Sequence, residues 1–298
     1  MSKSKLIKSV AHRMGHRMTS HPENSLKALE AIFRDDELLD ACSGFEFDIR
    51  FTKDRIPVVI HNQFIDDVVG GRRAIENCTL EELKKIQFGP DVSHRISTLE
   101  EVLLFFVGNL SKLDDRLIQI EAKDWIFTTK NNFNKKNLTN FANVLNKFPE
   151  LSGNIVFTSF WPLNLRFLKK IQKELGHQLV KNCLLCDHSI VAKLTRFMSN
   201  IDGIALRIKG SLLDENCSSD FSKITKLEKF ITKFANAAKR KNLEYGIAKY
   251  GSVGLYTLSD YSQLSGLNEH MGDNFLNDNL DRIIIVASNP KYFQETKR

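Results

Sequence analysis

Short apolar runs alternate with amphipathic stretches over the whole of this 298-residue chain. Few folds accommodate that alternation, because parallel strands covered on both faces are joined through crossover helices. The strand-like runs are Leu6–Ala11, Gly44–Phe51, Pro57–Ile60, Leu117–Ala122, Asn154–Phe160, Leu179–Leu185, Gly203–Ile208, Glu244–Lys249 and Asp281–Ala287. Between them, apolar residues recur at spacings of three and four in Asn24–Phe33, Thr79–Ile86, Thr98–Phe106 and Pro162–Leu175, the period of a helix lying on a core. Thr79 reads as a helix cap, and Pro162 sits just inside a helix start. There is no Pro-, Gly- or Ser-rich linker and no internal repeat. The pattern predicts one α/β domain over residues 1–298, a closed (β/α)8 TIM barrel with one strand candidate left outside it. Phe51–Pro57 is too short for a crossover helix, so irregularity is expected there. The stretch of roughly 62–116, after the third strand, exceeds what one helix needs and predicts a small insertion near the active face.

Gly44–Phe51 carries two acids, Glu46 and Asp48, at i and i+2 in an otherwise apolar strand. That spacing points both carboxylates to one side. The next strand delivers His61 at its C-terminal end, fifteen residues after Glu46. Strand ends of this kind are where barrels and open sheets keep their chemistry. Two acids and a histidine suggest a hard cation with an acid/base partner beside it.

A formal net charge of +7 implies attraction to something anionic. Phosphate-bearing substrates, acidic lipid and nucleic acid all qualify, but no RNP motif, zinc-finger spacing or helix-turn-helix pattern supports nucleic acid. No apolar run approaches the roughly 20 residues that span a bilayer, and the basic N-terminus lacks the apolar region of a signal peptide. Five cysteines include one isolated Cys183-Leu184-Leu185-Cys186 motif. Reduced thiols in a cytoplasmic protein are the simplest expectation. Lys223–Asn242 carries an apolar stripe of Ile224, Leu227, Phe230, Ile231, Phe234 and Ala238 with lysines on its other faces. It reads as an outer helix with a solvated face, and peripheral contact with an anionic membrane is its second reading.

Three segments now fall in order. Val10-Ala11-His12-Arg13-Met14-Gly15 precedes Pro22-Glu23-Asn24-Ser25. Glu46-x-Asp48 is followed by Thr52-Lys53-Asp54, Pro57-Val58-Val59 and His61; Ile120-Glu121-Ala122-Lys123 ends a later strand. This order resembles the glycerophosphodiester phosphodiesterase family, specifically so through about residue 125 and thinly beyond. The resemblance implies a (β/α)8 barrel and one divalent cation, calcium or magnesium, held by Glu46, Asp48 and Glu121. It also implies His12 and His61 as general acid and base, with Arg13 and Lys123 on the phosphoryl oxygens. Such chemistry suits a phosphodiester. The anion needs its charge neutralised, the nucleophile must lose a proton, and the leaving alkoxide must gain one.

The chain departs from the family pattern in several places. Asn62 replaces the usual Asp after the second histidine, Met14 and Arg55 stand where Gly is usual, and His12 lies two residues further from Pro22. His16-Arg17 offers a second His-Arg pair, but His12 directly follows the apolar strand and is preferred. The family's Trp-Thr-Val-Asn strand is missing, with Tyr245-Gly246-Ile247-Ala248-Lys249-Tyr250 nearest in place. Glu23 and Asn24 are expected to cap and fix a loop. Trp125 and Trp161 follow strand ends and line the mouth or pack its wall.

The sequence therefore predicts an enzyme that hydrolyses a glycerophosphodiester to an alcohol and glycerol 3-phosphate, with a lysophospholipid as the variant substrate. Two alternatives stand beside it. One is a degenerate barrel that binds a phosphodiester or lipid headgroup without turnover. The other is a lysophospholipase D or cyclic-phosphate-forming relative.

Overall fold

A computed structural model of the chain describes residues 8–66, 71–86, 94–123, 131–186, 201–207, 241–245, 247–250, 252–258, 282–287 and 290–293. Strands β1 (Lys8–Ala11) and β2 (Gly44–Phe51) are buried along almost their full length, so each needs a partner on both sides and cover on both faces. Closing the sheet on itself meets that demand. The ring runs β1, β2, β7 (Leu117–Ala122), β8 (Ile155–Ser159), β9 (Lys181–Cys186), β10 (Gly203–Arg207), β11 (Val253–Leu258) and β12 (Ile283–Ala287), and β12 returns to β1. All its pairings are parallel, giving the expected closed eight-stranded barrel.

The strand left outside the ring is β3 (Pro57–Val59). It runs antiparallel to β2, and β6 (Ser97–Thr98) runs antiparallel to it in turn. Thr52 makes the reversal: its N–H donates to Ile56 O, and its hydroxyl lies 2.5 Å from Asp54 Oδ1. Arg55, where the resemblance led us to expect Gly, has φ +66°, so an arginine holds a left-handed turn position. Residues 62–116 contribute a hairpin of β4 (Phe64–Asp66) and β5 (Arg72–Ala74). Val58, Ile60, Ile65, Ile75, Cys78, Leu83, Ile86 and Ile96 form a small apolar cluster of their own beside the barrel core.

The α-helices packed among these strands include α1 (Leu26–Arg34), α2 (Asp36–Asp40), α3 (Leu80–Lys85), α4 (Leu99–Val107), α5 (Leu110–Leu113), α6 (Asn131–Asn146) and α7 (Pro162–Glu174). Thr79 and Thr98 open α3 and α4 with full capping boxes, each hydroxyl accepting from the N–H of the Glu three residues on. Alternation along β2 divides its side chains. Phe45 meets Phe33 of α1 and Phe106 of α4, with ring centroids at 5.3 and 5.8 Å. Glu46 and Asp48 point the other way, into the barrel.

One expectation fails on the C-terminal side. Residues 241–245 and 247–250 are helical, so Glu244–Lys249 is not a strand. Leu243 and Ile247 are the buried apolar residues there, four residues apart, which is helical spacing. The barrel strand is β11, whose Val253 and Leu255 are buried in alternation. Gly251, Ser252 and Gly254 gave that stretch the composition of a loop. That barrel strand is therefore present, but later in the chain than expected. Of the expected helix at Lys223–Asn242, residues 223–240 lie outside the described residues, as do Trp125, His188 and His270.

Candidate active site

The site begins with strand register. Asp48 of β2 lies beside Glu121 of β7, and Glu46 lies beside Gln119 one step lower. Registered neighbours in parallel strands point to the same face, so three acids converge inside the C-terminal end of the barrel. One carboxylate oxygen from each of Glu46, Asp48 and Glu121 lies within 4.8 Å of the others, and all three residues are buried. Three buried carboxylates so close repel one another strongly unless positive charge joins them.

The first positive group is Lys123, just past the end of β7. Its ammonium is 3.0 Å from Asp48 Oδ1 and 2.5 Å from Glu121 Oε1. The second is Arg13, whose Nε is 3.6 Å from Asp48 Oδ2 while Nη1 donates to Glu23 Oε2 at 2.6 Å. The loop that carries Arg13 is wound tightly. Arg13, Met14 and Gly15 have φ of +48°, +59° and +71°. The winding turns the Arg13 N–H onto Glu46 Oε2 at 2.9 Å. A Cβ on Gly15 would meet Ile32 Cδ1, and Met14 is fully buried. Met14 therefore occupies the usual Gly position as a core residue, at the backbone cost of a left-handed conformation, about 1–2 kcal/mol.

Burial and the neighbouring Asp48 and Glu121 charges push the Glu46 carboxyl well above the usual carboxylate range. Burial and Asp48 raise Glu121 to about 7. Asp48 goes the other way. Burial opposes its charge, but Lys123, His61, the Asn24 amide and Arg13 together outweigh that and lower it. Glu46 Oε1 is buried without a hydrogen-bond partner. A buried carboxylate oxygen left unpaired beside two more acids suits a hard divalent cation, which takes oxygen ligands and removes the repulsion. The residues present fit such an ion, and Glu46, Asp48 and Glu121 are the three that can hold it.

Both expected histidines reach this mouth. His12 Nε2 lies 3.8 Å from Glu46 Oε2; burial and the adjacent Arg13 lower its pKa to about 3. His16 lies behind it, with ring centroids 6.1 Å apart, and the acid cluster is met by His12. His61 follows β3, whose end is tied to β2 where the Ile60 N–H donates to Asp48 O at 3.0 Å. Arg50 Nε donates to His61 O at 2.9 Å, fixing the backbone that carries the ring. The ring's Nδ1 is 3.0 Å from Asn62 Oδ1, so Asn62, in place of the family's Asp, still orients His61 but as a neutral acceptor. Burial lowers the His61 pKa, with Asp48 and Asn62 opposing.

Sequence reasoning gave Glu23 and Asn24 too small a part. The cap of α1 is Ser25, which accepts from the Ala28 N–H. Glu23 instead clamps Arg13, and Asn24 is bonded to Asp48. Their place in the Pro-Glu-Asn-Ser segment was the only sequence signal. Trp161 lies at the start of α7, just past β8, partly buried. Cys183 and Cys186 are not joined in a disulfide, and a spacing of three in a strand turns the two side chains to opposite faces.

Comparison with known proteins bears on the same site. Residues 15–244 match the profile of the glycerophosphoryl diester phosphodiesterase family. A glycerophosphodiester phosphodiesterase of Caldanaerobacter subterraneus is 28% identical over 178 residues, covering 60% of this chain and 68% of that protein. Glycerophosphodiester phosphodiesterase 1 of Bos taurus is 22% identical over 287 residues, 92% of this chain and 78% of its own. Among solved structures, an Oleispira antarctica phosphodiesterase in complex with the product sn-glycerol-3-phosphate superimposes with a TM-score of 0.65 at 17% identity. It covers 97% of this chain and 96% of that one. A glycerophosphodiester phosphodiesterase from Parabacteroides distasonis gives 0.64 at 17% identity, covering 97% and 95%.

Proposed function

The chain belongs to the glycerophosphoryl diester phosphodiesterase family, and from that premise we propose that it hydrolyses a glycerophosphodiester to an alcohol and glycerol 3-phosphate. The observation that carries the reading is the convergence of Glu46, Asp48 and Glu121 with Lys123 at the strand ends. In this reading the three acids hold one calcium or magnesium ion, which when bound neutralises charge on the phosphoryl oxygens. Arg13 and Lys123 donate to those same oxygens and hold the diester with phosphorus facing the histidines. One histidine takes the proton of the attacking hydroxyl or water, and the other returns a proton to the leaving alkoxide. His61 is suited to moving a proton through Nε2, since Nδ1 is engaged by Asn62. His12 stands on the side of Glu46. Cys42, Cys78, Cys183 and Cys186 form no disulfide, which suits a cytoplasmic setting. Among the described residues, no helix is long and apolar enough to cross a membrane.

The test is release of glycerol 3-phosphate from glycerophosphocholine and glycerophosphoethanolamine, beside a lysophospholipid panel, each with calcium, magnesium or EDTA. Cation-dependent release from a glycerol diester supports the reading. A lysophospholipid as the sole substrate moves the assignment to the variant. Phosphorus NMR showing a cyclic phosphate as final product moves it to a transferase-like cleavage. Silence over the whole panel with a cation bound identifies a non-catalytic binder.

A further inference from the structure

Asn24 is the one residue of the Pro22-Glu23-Asn24-Ser25 segment whose side chain reaches an acid of the candidate cation site. It is buried, and its φ of +56° places it in the left-handed region. Its own N–H donates to Arg13 O at 3.0 Å, which ties the α1 entry to the loop carrying His12 and Arg13. The side chain makes a two-point contact with Asp48. The amide nitrogen donates to Asp48 Oδ2 at 2.9 Å, and the amide oxygen accepts from the Asp48 N–H at 3.1 Å. A residue beginning a barrel helix thereby grips both the backbone and the carboxylate of one strand residue.

We propose that Asn24 is a positioning residue that fixes the Asp48 carboxylate, so that Oδ1 faces Glu46 and Glu121 and the cation site is preorganised. The inference rests on the reading of those acids as cation ligands. With Oδ2 committed to Asn24, the rotation of the carboxylate is set, and Oδ1 is the oxygen turned to Lys123 at 3.0 Å. Without the amide, a buried carboxylate oxygen loses its donor, and the β2 N–H under it loses its acceptor. Lys123 on Oδ1 and the longer Arg13 contact at 3.6 Å on Oδ2 are then all that orients the two oxygens. The residue type follows from two demands at once. A left-handed backbone position favours Gly, Asn or Asp, and simultaneous donation and acceptance singles out the amide. Gln reaches too far, and Asp offers no donor while ionised.

The test is calcium and magnesium affinity by calorimetry for wild-type protein and Asn24→Gly, with thermal unfolding of both in EDTA. Gly tolerates the φ, so this variant removes the amide without straining the turn. Binding weakened about tenfold or more is expected, the range seen when the groups that orient metal ligands are removed. Turnover should recover as cation is raised, which places the defect in cation loading. A variant that is less stable in EDTA but binds the cation as tightly as wild type would overturn the proposal and leave Asn24 a structural residue. Wild-type protein that binds neither ion overturns the cation reading itself, which is a separate result. If Asn24→Gly does not fold, Asn24→Ser reads the same quantity, because it keeps a short uncharged side chain and removes the two-point amide contact. Affinity equal to wild type in that variant equally overturns the proposal.

Discussion

Lys123 at the barrel mouth and Lys147 after α6 carry the same ammonium, and each meets carboxylate oxygens at 3 Å or less. Their surroundings make them different objects. The Lys123 side chain is 18% exposed against Asp48 and Glu121 at 1% and 10%, while Lys147 and Glu100 are both about half exposed. At the surface, water screens the pair and its partners can separate at little cost. In the mouth, neither acid can discharge into solvent, so their ionisation depends on which cations accompany them. The helical shell uses charge to finish surfaces and caps. The strand ends keep charge buried, where the proposed cation and phosphodiester would meet it.

The sharpest way to break that contrast is to neutralise a stored charge. Glu46→Gln, close in shape to wild type, is expected to abolish calcium or magnesium binding and lower turnover by about a thousandfold or more. Calorimetry and the glycerol 3-phosphate assay check the two losses together. Retained cation binding would remove Glu46 from the ligand set. His61→Ala is expected to separate the two properties, with turnover falling about 10²- to 10⁴-fold and cation affinity unchanged. Near-normal turnover in that variant would mean that His61 is not one of the proton-carrying groups.

Acid titration sharpens the comparison without removing an interaction. The Glu121 carboxyl is raised from 4.5 to about 7 in the folded protein. Its neutral form is thus favoured by folding, so its contribution to stability is full below about pH 4.5. The contribution is lost as pH rises through about 7, an effect on the order of 3 kcal/mol. In EDTA the thermal midpoint of wild type should therefore fall across that window, and Glu121→Gln should flatten the fall. Saturating cation should reverse it in wild type. A wild-type profile that is flat in EDTA would contradict the stored-charge description.

The barrel was legible because its first half obeys simple periods. β2 alternates aromatics with acids, Thr79 and Thr98 begin capping boxes, and the charged residues cluster at strand ends. Glu46 and Asp48 were legible for the same reason, since i and i+2 in a strand fixes a shared face, whereas Glu121 was reached only through the family resemblance. What failed was local ambiguity. Gly254 hid a strand inside loop-like composition, while Tyr245 and Ile247 of a helical stretch alternate as strand residues do. Asn24 was illegible for a different reason. Its partner is 24 residues away on another element, and no local period announces a contact set by barrel closure. Met14 and Arg55 show a third limit. Both hold positive φ where glycine was expected, and sequence alone does not say that burial keeps Met14 there.

The smallest effect belongs to the shell. Lys147 Nζ lies 2.8 Å from both Glu100 oxygens, a geometry that in a list of contacts would rank beside Lys123. Its energetic weight is different, because two half-exposed side chains lose rotamer freedom to hold a pair that water solvates nearly as well. Lys147→Ala should cost no more than about 0.5 kcal/mol, and adding salt should shrink even that. Catalytic rate and cation affinity should not change. The measurement is a denaturant midpoint at low and high ionic strength, read beside the same pair of titrations for wild type. A loss of several kcal/mol would mean that the α4–α6 contact shields the pair far more than its exposure indicates. The distinction between shell and mouth would then rest on which elements the charges join, and no longer on their access to water.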